Sequence, residues 1–268
     1  MGAFGEPLDE ALVDLFDAQV APRYLASFGD RLLDAMLPGD QARVVHLGCR
    51  TGLLDAELAR RAGASELVGV DASPLALERA RLRAPEHFFY VEAAHPSPLP
   101  GDCFSHAVSL FSIGLSAAEA AALVEESRRL LRRDGQLLLL MPLRGSFAEL
   151  VDLLREHALA TGSAELSAAI EALAAERPGV EQATEALESA GFEDVDVGLH
   201  RLSLDYETGT QFFDDPTVLL LLEPPLRRSL PAAHAEAVIA GLRRSIDLYW
   251  SDMPFELTLN LGCISARR

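Results

Sequence analysis

The 268-residue chain contains no lysine, so all 23 of its basic side chains are arginine. This excludes Schiff-base chemistry on a lysine and the Gly-Lys-Ser/Thr ending of a phosphate-binding P-loop. Cysteine is scarce: Cys49, Cys103 and Cys263 stand far apart, with no CxxC and no metal spacing. Such usage points to a reduced, cytoplasmic protein and not to a disulfide scaffold. Aromatic residues make up only 6%, which leaves the core to leucine, alanine and valine. The apolar runs at 137–141 and 218–222 fall far short of the ~20 residues that span a bilayer. The opening MGAFGEPLDE has neither the basic region nor the apolar run of a signal peptide, and no Ser or Thr at position six for myristoylation of Gly2. Positive charge is short overall. A net charge of -18 argues against nucleic acid and anionic lipid as partners. The pairs Arg132-Arg133 and Arg243-Arg244 are too small to reverse that field. The seven histidines form no HxxxH or HExxH, and no serine sits in a GxSxG elbow, so no metal site is expected.

What the chain does have is 49% hydrophobic residues, enough for a sizeable core. One stretch organises it: Val44-Val45-His46-Leu47-Gly48-Cys49-Arg50-Thr51-Gly52-Leu53-Leu54. An apolar strand runs into a small-residue turn and then into a helical pattern over 53–62. Gly48 and Gly52 bracket the turn, where a missing Cβ permits positive φ and close approach of a ligand. The helix that follows would aim free N–H groups at that ligand. About nineteen residues after Gly52, a second apolar strand ends in Asp71. A glycine turn followed by an acid at the next strand end is an arrangement that holds a nucleoside, backbone at one end and ribose hydroxyls on the acid.

The rest of the chain alternates. Residues 8–37 read as two helices with Pro22 near their junction. Strands are expected at 43–47, 66–70, 87–91, 104–111 and 136–141, with helices at 53–62, 74–83 and 117–132 between them. Ser73-Pro74 starts the helix at 74, and Asp134-Gly135 is read as the stop after 132. Nearly uninterrupted apolar strands separated by helices imply a parallel sheet covered on both faces. Helices follow at 147–160, 164–174 and 180–190. A sixth strand begins at 192–197 and runs on through 199–204, and helical stretches at 210–222 and 232–250 precede a last strand at 255–266. There is no internal repeat or linker, so the whole is read as one domain: a leader (1–42), a core (43–206), a helical cap (207–252) and a last strand (253–268).

VVHLGCRTGLL followed by ELVGVDASPLALERAR resembles motifs I and II of class I S-adenosylmethionine-dependent methyltransferases. The resemblance extends over most of the chain. Its layout, with leader helices and a cap before the last strand, is similar to the small-molecule and biotin-pathway O-methyltransferase branch. It implies a Rossmann-like seven-stranded α/β sheet of order 3-2-1-4-5-7-6, the last strand entering antiparallel between the fifth and sixth. It further implies S-adenosylmethionine as cofactor, held by His46, Gly48, Cys49, Arg50, Thr51 and Gly52 of the turn, by Asp71 and Ala72, by Ala94 and His95 after the third strand, and by Leu110 at the end of the fourth. In the family a leader packs over the cofactor, which makes Tyr24 a candidate lining residue, with an ordinary core aromatic as the alternative.

The chain departs from the family pattern at three of these positions. His46 stands where an acid helps to hold the positive end of the cofactor, Arg50 where a middle glycine is usual, and Ala94 where an acid meets the adenine amino group. Two function classes therefore stay open. The first is methyl transfer to a small-molecule or carrier-bound substrate. The second is a catalytically degenerate binding or regulatory module acting through protein partners. An NAD-dependent oxidoreductase is disfavoured, because the turn lacks GxGxxG spacing. Methyl transfer from an activated sulfonium relies on positioning more than on side-chain chemistry, so the sequence names no catalytic residue; His95 and His106 are candidates for a base, with structural roles as the alternative. Phe212, Phe213, Tyr249 and Trp250 of the cap suit either a substrate pocket or packing, and the leucine-rich cap suits either a lid or a homodimer contact.

Overall fold

The computed structural model describes residues 7–83, 88–93, 95–110 and 114–268, and only the backbone of 24–27. Seven strands form one sheet: β1 (Ala42–Leu47), β2 (Ala64–Asp71), β3 (Phe88–Glu92), β4 (Phe104–Ser109), β5 (Leu131–Pro142), β6 (Glu193–Tyr206) and β7 (Phe255–Arg267). Their order is β3-β2-β1-β4-β5-β7-β6. The first five pair in parallel, His46 lying opposite Gly69 and Val108, and Gly69 opposite Tyr90. β7 runs the other way. Asp134 and Gly135, early in β5, bond Arg268, whereas Leu143, just past its end, bonds Asn260. This is the order and the hand expected from the resemblance.

The chain divides into two compact units. The first holds residues up to Met141 together with Glu181–Gly198 and Gly262–Arg268. Its core packs Val45, Leu47, Val68, Val70, Leu137 and Leu139 of the strands against Leu123 and Leu130 of α5 (Ala117–Leu130), with Leu187, Phe192 and Ile264. α5 opens with a full capping box, Ser116 and Glu119 satisfying each other's backbone N–H groups. The leader is α1 (Glu10–Leu15), a π-turn (Phe16–Val20) and α2 (Ala21–Asp34), with Pro22 in the first turn of α2. Two helices and a proline junction were expected; the wide turn that joins them was not.

The second unit holds Pro142–Val180 and Leu199–Leu261. It contains α6 (Ala148–Thr161), α7 (Ala164–Ala175), α9 (Gly209–Asp214), α10 (Glu223–Ser229) and α11 (Ala235–Tyr249); α8 (Val180–Ser189) belongs almost wholly to the first unit. Phe212 packs edge-on against Tyr206, Phe213 and Phe255, and Trp250 against Phe255, at centroid distances of 4.8–5.5 Å. Phe212 and Phe213 are fully buried, so these cap aromatics are core. Tyr249 is half exposed and bonds Glu156.

Several boundaries move for local reasons. The helix expected from Leu53 begins at Asp55 as α3 (Asp55–Ala62), because Asp55 N–H first closes a turn on the Gly52 carbonyl. The helix expected to reach 132 stops at Leu130, and Asp134-Gly135 lies inside β5, drawn there by its bonds to Arg268. The single helix expected over 210–222 is broken at Asp215. Pro216 forces that residue into extended backbone, and its carboxylate caps the N–H of Thr217 at 2.8 Å.

Candidate cofactor site

The site lies in the first unit, at the carboxyl ends of β1 and β2. Asp71 ends β2 and is fully buried. Its two oxygens accept the backbone N–H groups of Arg50 and Ser73, each at 2.9 Å. The Arg50 guanidinium sits 3.5 Å away and is itself almost buried. Burial pushes the Asp71 carboxyl above its usual range, and the charge of Arg50 only partly offsets this. Arg50 adopts φ +50°, the left-handed conformation that the family's glycine would take without strain. The backbone path of the turn is thus kept, with a cation added to it.

Much of the turn is bonded inward. Gly48 and Cys49 N–H both donate to the Val70 carbonyl, and Gly52 N–H donates to that of Cys49. The backbone N–H groups of Gly48, Cys49, Arg50 and Gly52 are therefore all engaged within the chain. Thr51 is buried, its hydroxyl donating to Asp17 of the π-turn at 2.6 Å. Arg83, the last residue of α4 (Pro74–Arg83), pairs with the same Asp17 and donates to the Thr51 carbonyl at 3.1 Å. Burial raises the Asp17 carboxyl, but its bonds to Arg83 and Thr51 outweigh that and leave it lower than usual.

His46 is buried, and its Nδ1 lies 2.6 Å from Asp55 Oδ1, also buried. A carboxylate only accepts, so Nδ1 carries the proton. Tyr90 donates its hydroxyl to Asp55 Oδ2 at 2.8 Å; burial, then the Asp55 charge, push that phenol far above its usual range. Gly69 makes room for the ring, since a Cβ there would stand 2.6 Å from it. Gly52, at φ +66°, faces the Asp55–Tyr90 pair, and a Cβ would come within 3.0 Å of both. Cys49 lies between Asp55 and Asp71; burial first and then those two charges raise its thiol well above the normal range.

The sequence reading did not foresee Asp55, Tyr90, Asp17 or Arg83 at the site. Asp55 stands nine residues beyond His46, and nothing in that spacing marks it. Of the other candidates, Ala72 is half-buried beside Asp71, Leu110 is fully buried just past β4, and His95 is half-buried. Ala94, residues 111–113 and the side chain of Tyr24 lie outside the described residues. His106 is committed elsewhere: its ring bonds the Leu37 carbonyl at 2.7 Å and Ser105 at 2.8 Å. Among the described residues, no three His, Cys, Asp or Glu side chains cluster as a metal site.

Residues 44–135 match the family described as methyltransferase domain. The matched stretch runs from β1 into β5 and includes the Gly48–Gly52 turn and Asp71. A stretch of 118 residues is 32% identical to the biotin biosynthesis bifunctional protein BioCD of Bordetella avium, covering 38% of this chain and 25% of that protein. The chain thus spans about a quarter of that relative's length. The structure of the YcgJ protein from Bacillus subtilis is similar at a TM-score of 0.56 and 15% identity, over 89% of this chain and 97% of that one. Geranyl diphosphate C-methyltransferase from Streptomyces coelicolor, solved with S-adenosyl-L-homocysteine, gives 0.51 and 15% over 99% of this chain and 87% of that one. At such identities the structures speak for the fold. Within the matched stretch, Asp71 and the Gly48–Gly52 turn fit a nucleoside cofactor of the kind the resemblance implies, and His46 Nε2 is buried without a hydrogen-bond partner among the described residues. Among the described residues, no helix is long and apolar enough to cross a membrane.

Proposed function

We propose that this protein transfers a methyl group from S-adenosylmethionine to a small-molecule or carrier-bound substrate. The observation that carries the reading is Asp71: a fully buried carboxylate at the end of β2, presented by two backbone N–H groups beside the Gly48–Gly52 turn. A carboxylate offers about four lone-pair positions, so the two N–H bonds leave room for ribose hydroxyls. The bound cofactor would supply a methyl group already activated on a sulfonium. The protein's part is then to hold the nucleoside on Asp71, set the turn against it and keep water out with Leu110 and Cys49. The unpaired thiols and the acidic surface support a cytoplasmic protein without a nucleic-acid partner.

Calorimetric titration with S-adenosylmethionine and S-adenosylhomocysteine tests the reading. Micromolar binding to the native chain is expected, with affinity falling about 10–100-fold in Asp71→Ala, the worth of one charged hydrogen bond. No heat and no thermal shift at millimolar ligand would overturn it. One observation favours the second reading, a binding module without catalysis: the Arg50 guanidinium lies 3.5 Å from Asp71 Oδ1 and gives that acid a cation from its own chain. In that case the native chain binds neither ligand, and the acidic surface and the cap become the places to look for a protein partner.

A further inference from the structure

A cleft of about 480 Å³ opens in the first unit at the amino end of β4. Gly101 and Asp102, which line it, precede that strand, whereas Leu110 of the proposed cofactor site follows it. The six residues of β4 put the two places about 20 Å apart. Three guanidiniums line the cleft, those of Arg128 and Arg129 on α5 and of Arg268, together with the acids Asp102 and Glu125. Two of the three are already neutralised. Arg129 spends all three nitrogens on Glu126, Ser97 and the Leu99 carbonyl. Arg268 pairs with Asp102 and donates to the Leu131 carbonyl, both through Nη1, and its Nε and Nη2 stay unused. Arg128 is different. It is half-buried, and its one hydrogen bond is a long one, Nε–H to the Gly191 carbonyl at 3.4 Å. It has no ion pair among the described residues. Gly191 lets the head lie close, since a Cβ there would stand 2.7 Å from Nε. Glu125, one turn earlier on α5, is exposed and leaves its charge to water. In a chain of net charge -18, a half-buried guanidinium thus stands in a cleft without a counter-ion.

We infer that this cleft seats the oxyanion of a small ligand, a carboxylate or a phosphate group, on Arg128. A guanidinium presents parallel N–H donors that match two oxygens of such a group. The idle N–H groups of Arg268 line the same cleft and add a second set of donors. The ligand supplies the counter-ion that Arg128 lacks, and Asp102 does not oppose it because Arg268 already holds that acid. The volume falls within the range of small-molecule sites, roughly 300–1,000 Å³. The charged lining selects a hydrophilic ligand over an apolar one. The site stands at the other end of β4 from the Gly48–Gly52 turn and Asp71, so the inference does not depend on the methyltransferase reading.

Inorganic phosphate and succinate are the probes, titrated into the full chain by calorimetry with chloride at matched ionic strength as the blank. Saturable binding of at least one probe at millimolar concentration is expected. Phosphate alone would assign the seat to phosphate groups, and succinate alone to carboxylates. Affinity should fall about tenfold or more in Arg128→Gln, the worth of one charged hydrogen bond, and hold within about twofold in Arg133→Gln. The second variant removes the same charge from an exposed position of β5 outside the cleft. Arg128→Gln gives up a single long bond, so its unfolding midpoint without probe should match the native one. Equal losses in the two variants would show attraction to the general field and overturn the inference. So would an Arg128→Gln protein that binds like the native chain, or no saturable binding of either probe. In the ¹⁵N-arginine-labelled native protein, the Arg128 Nε signal should move along the same binding curve. An Arg128 Nε signal unmoved at saturation overturns the inference whatever the variants do.

Discussion

Two buried carboxylates of the first unit, Glu126 and Asp71, have opposite surroundings. Glu126, on α5, accepts from both the N–H and the hydroxyl of Ser97, at 2.9 and 2.6 Å, and is gripped by Arg129 through both oxygens at 2.7 Å. Burial raises its carboxyl, but the bonds to Arg129 and Ser97 outweigh that, and the group ends lower than usual. Asp71 is just as buried, yet it has two N–H bonds and a guanidinium only at 3.5 Å, and it ends higher than usual. A carboxylate saturated by its own chain stabilises the fold; one left short of donors costs stability and remains available to a ligand. On the proposed reading, the difference separates a structural acid from a binding one.

That contrast can be broken by measurement. The largest effect is expected from Glu126→Ala, which strands the Ser97 N–H and releases Arg129; stability should fall by about 3 kcal/mol in denaturant unfolding, and a loss under ~1 kcal/mol would deny Glu126 its structural role. Next, Asp71→Asn should leave stability within about 1 kcal/mol of native while S-adenosylhomocysteine binding weakens by about 10–100-fold; a large stability loss with affinity unaltered would reverse the assignment. The two acids should also respond to pH with opposite sign. Glu126 has a folded pKa below its unfolded 4.5, so its contribution is present above 4.5 and is lost as pH falls through the folded value. Asp71 has a folded pKa above its unfolded 3.8, so its cost is present above the folded value and fades as pH falls toward 3.8. The advantage of native protein over Glu126→Gln should therefore shrink on acidification, and that over Asp71→Asn should grow; parallel curves would refute the comparison. The smallest effect is expected from Arg50→Gly. Relief of the left-handed φ and the greater freedom of the unfolded glycine nearly cancel, each being worth about 1 kcal/mol, so stability should hold. Affinity for S-adenosylhomocysteine should rise about threefold to tenfold as Asp71 loses its internal cation, and a fall in affinity would make Arg50 a ligand contact.

The fold was legible because strand and helix are written in local pattern. Val44–Leu47, Leu67–Val70 and Leu137–Leu140 are apolar runs bounded by turns, and glycines mark where β1 hands over to α3. Even the antiparallel last strand followed from the resemblance. Where boundaries failed, distant partners decided them: Asp134-Gly135 has the chemistry of a helix stop and became strand because Arg268 bonds it. Gly48, Gly52 and Asp71 of the proposed site stood out through the same kind of local pattern. His46 alone read as the loss of an acid. The Asp55–His46 bond needed α3 to bring its first residue against β1, and the Tyr90–Asp55 bond needed β3 to lie beside a glycine of β2, neither of which a linear pattern records.

Asp17 is a single carboxylate on the leader's π-turn, yet it joins Thr51 of the glycine turn and Arg83 of α4. Three segments far apart in the chain are thereby tied to one pair of oxygens, and none can open without releasing it. Their amides should then exchange with solvent as one cooperative block, at a common opening free energy below that of the central strands. The leader, though written first, is thereby fastened to the turn that the proposed cofactor site uses.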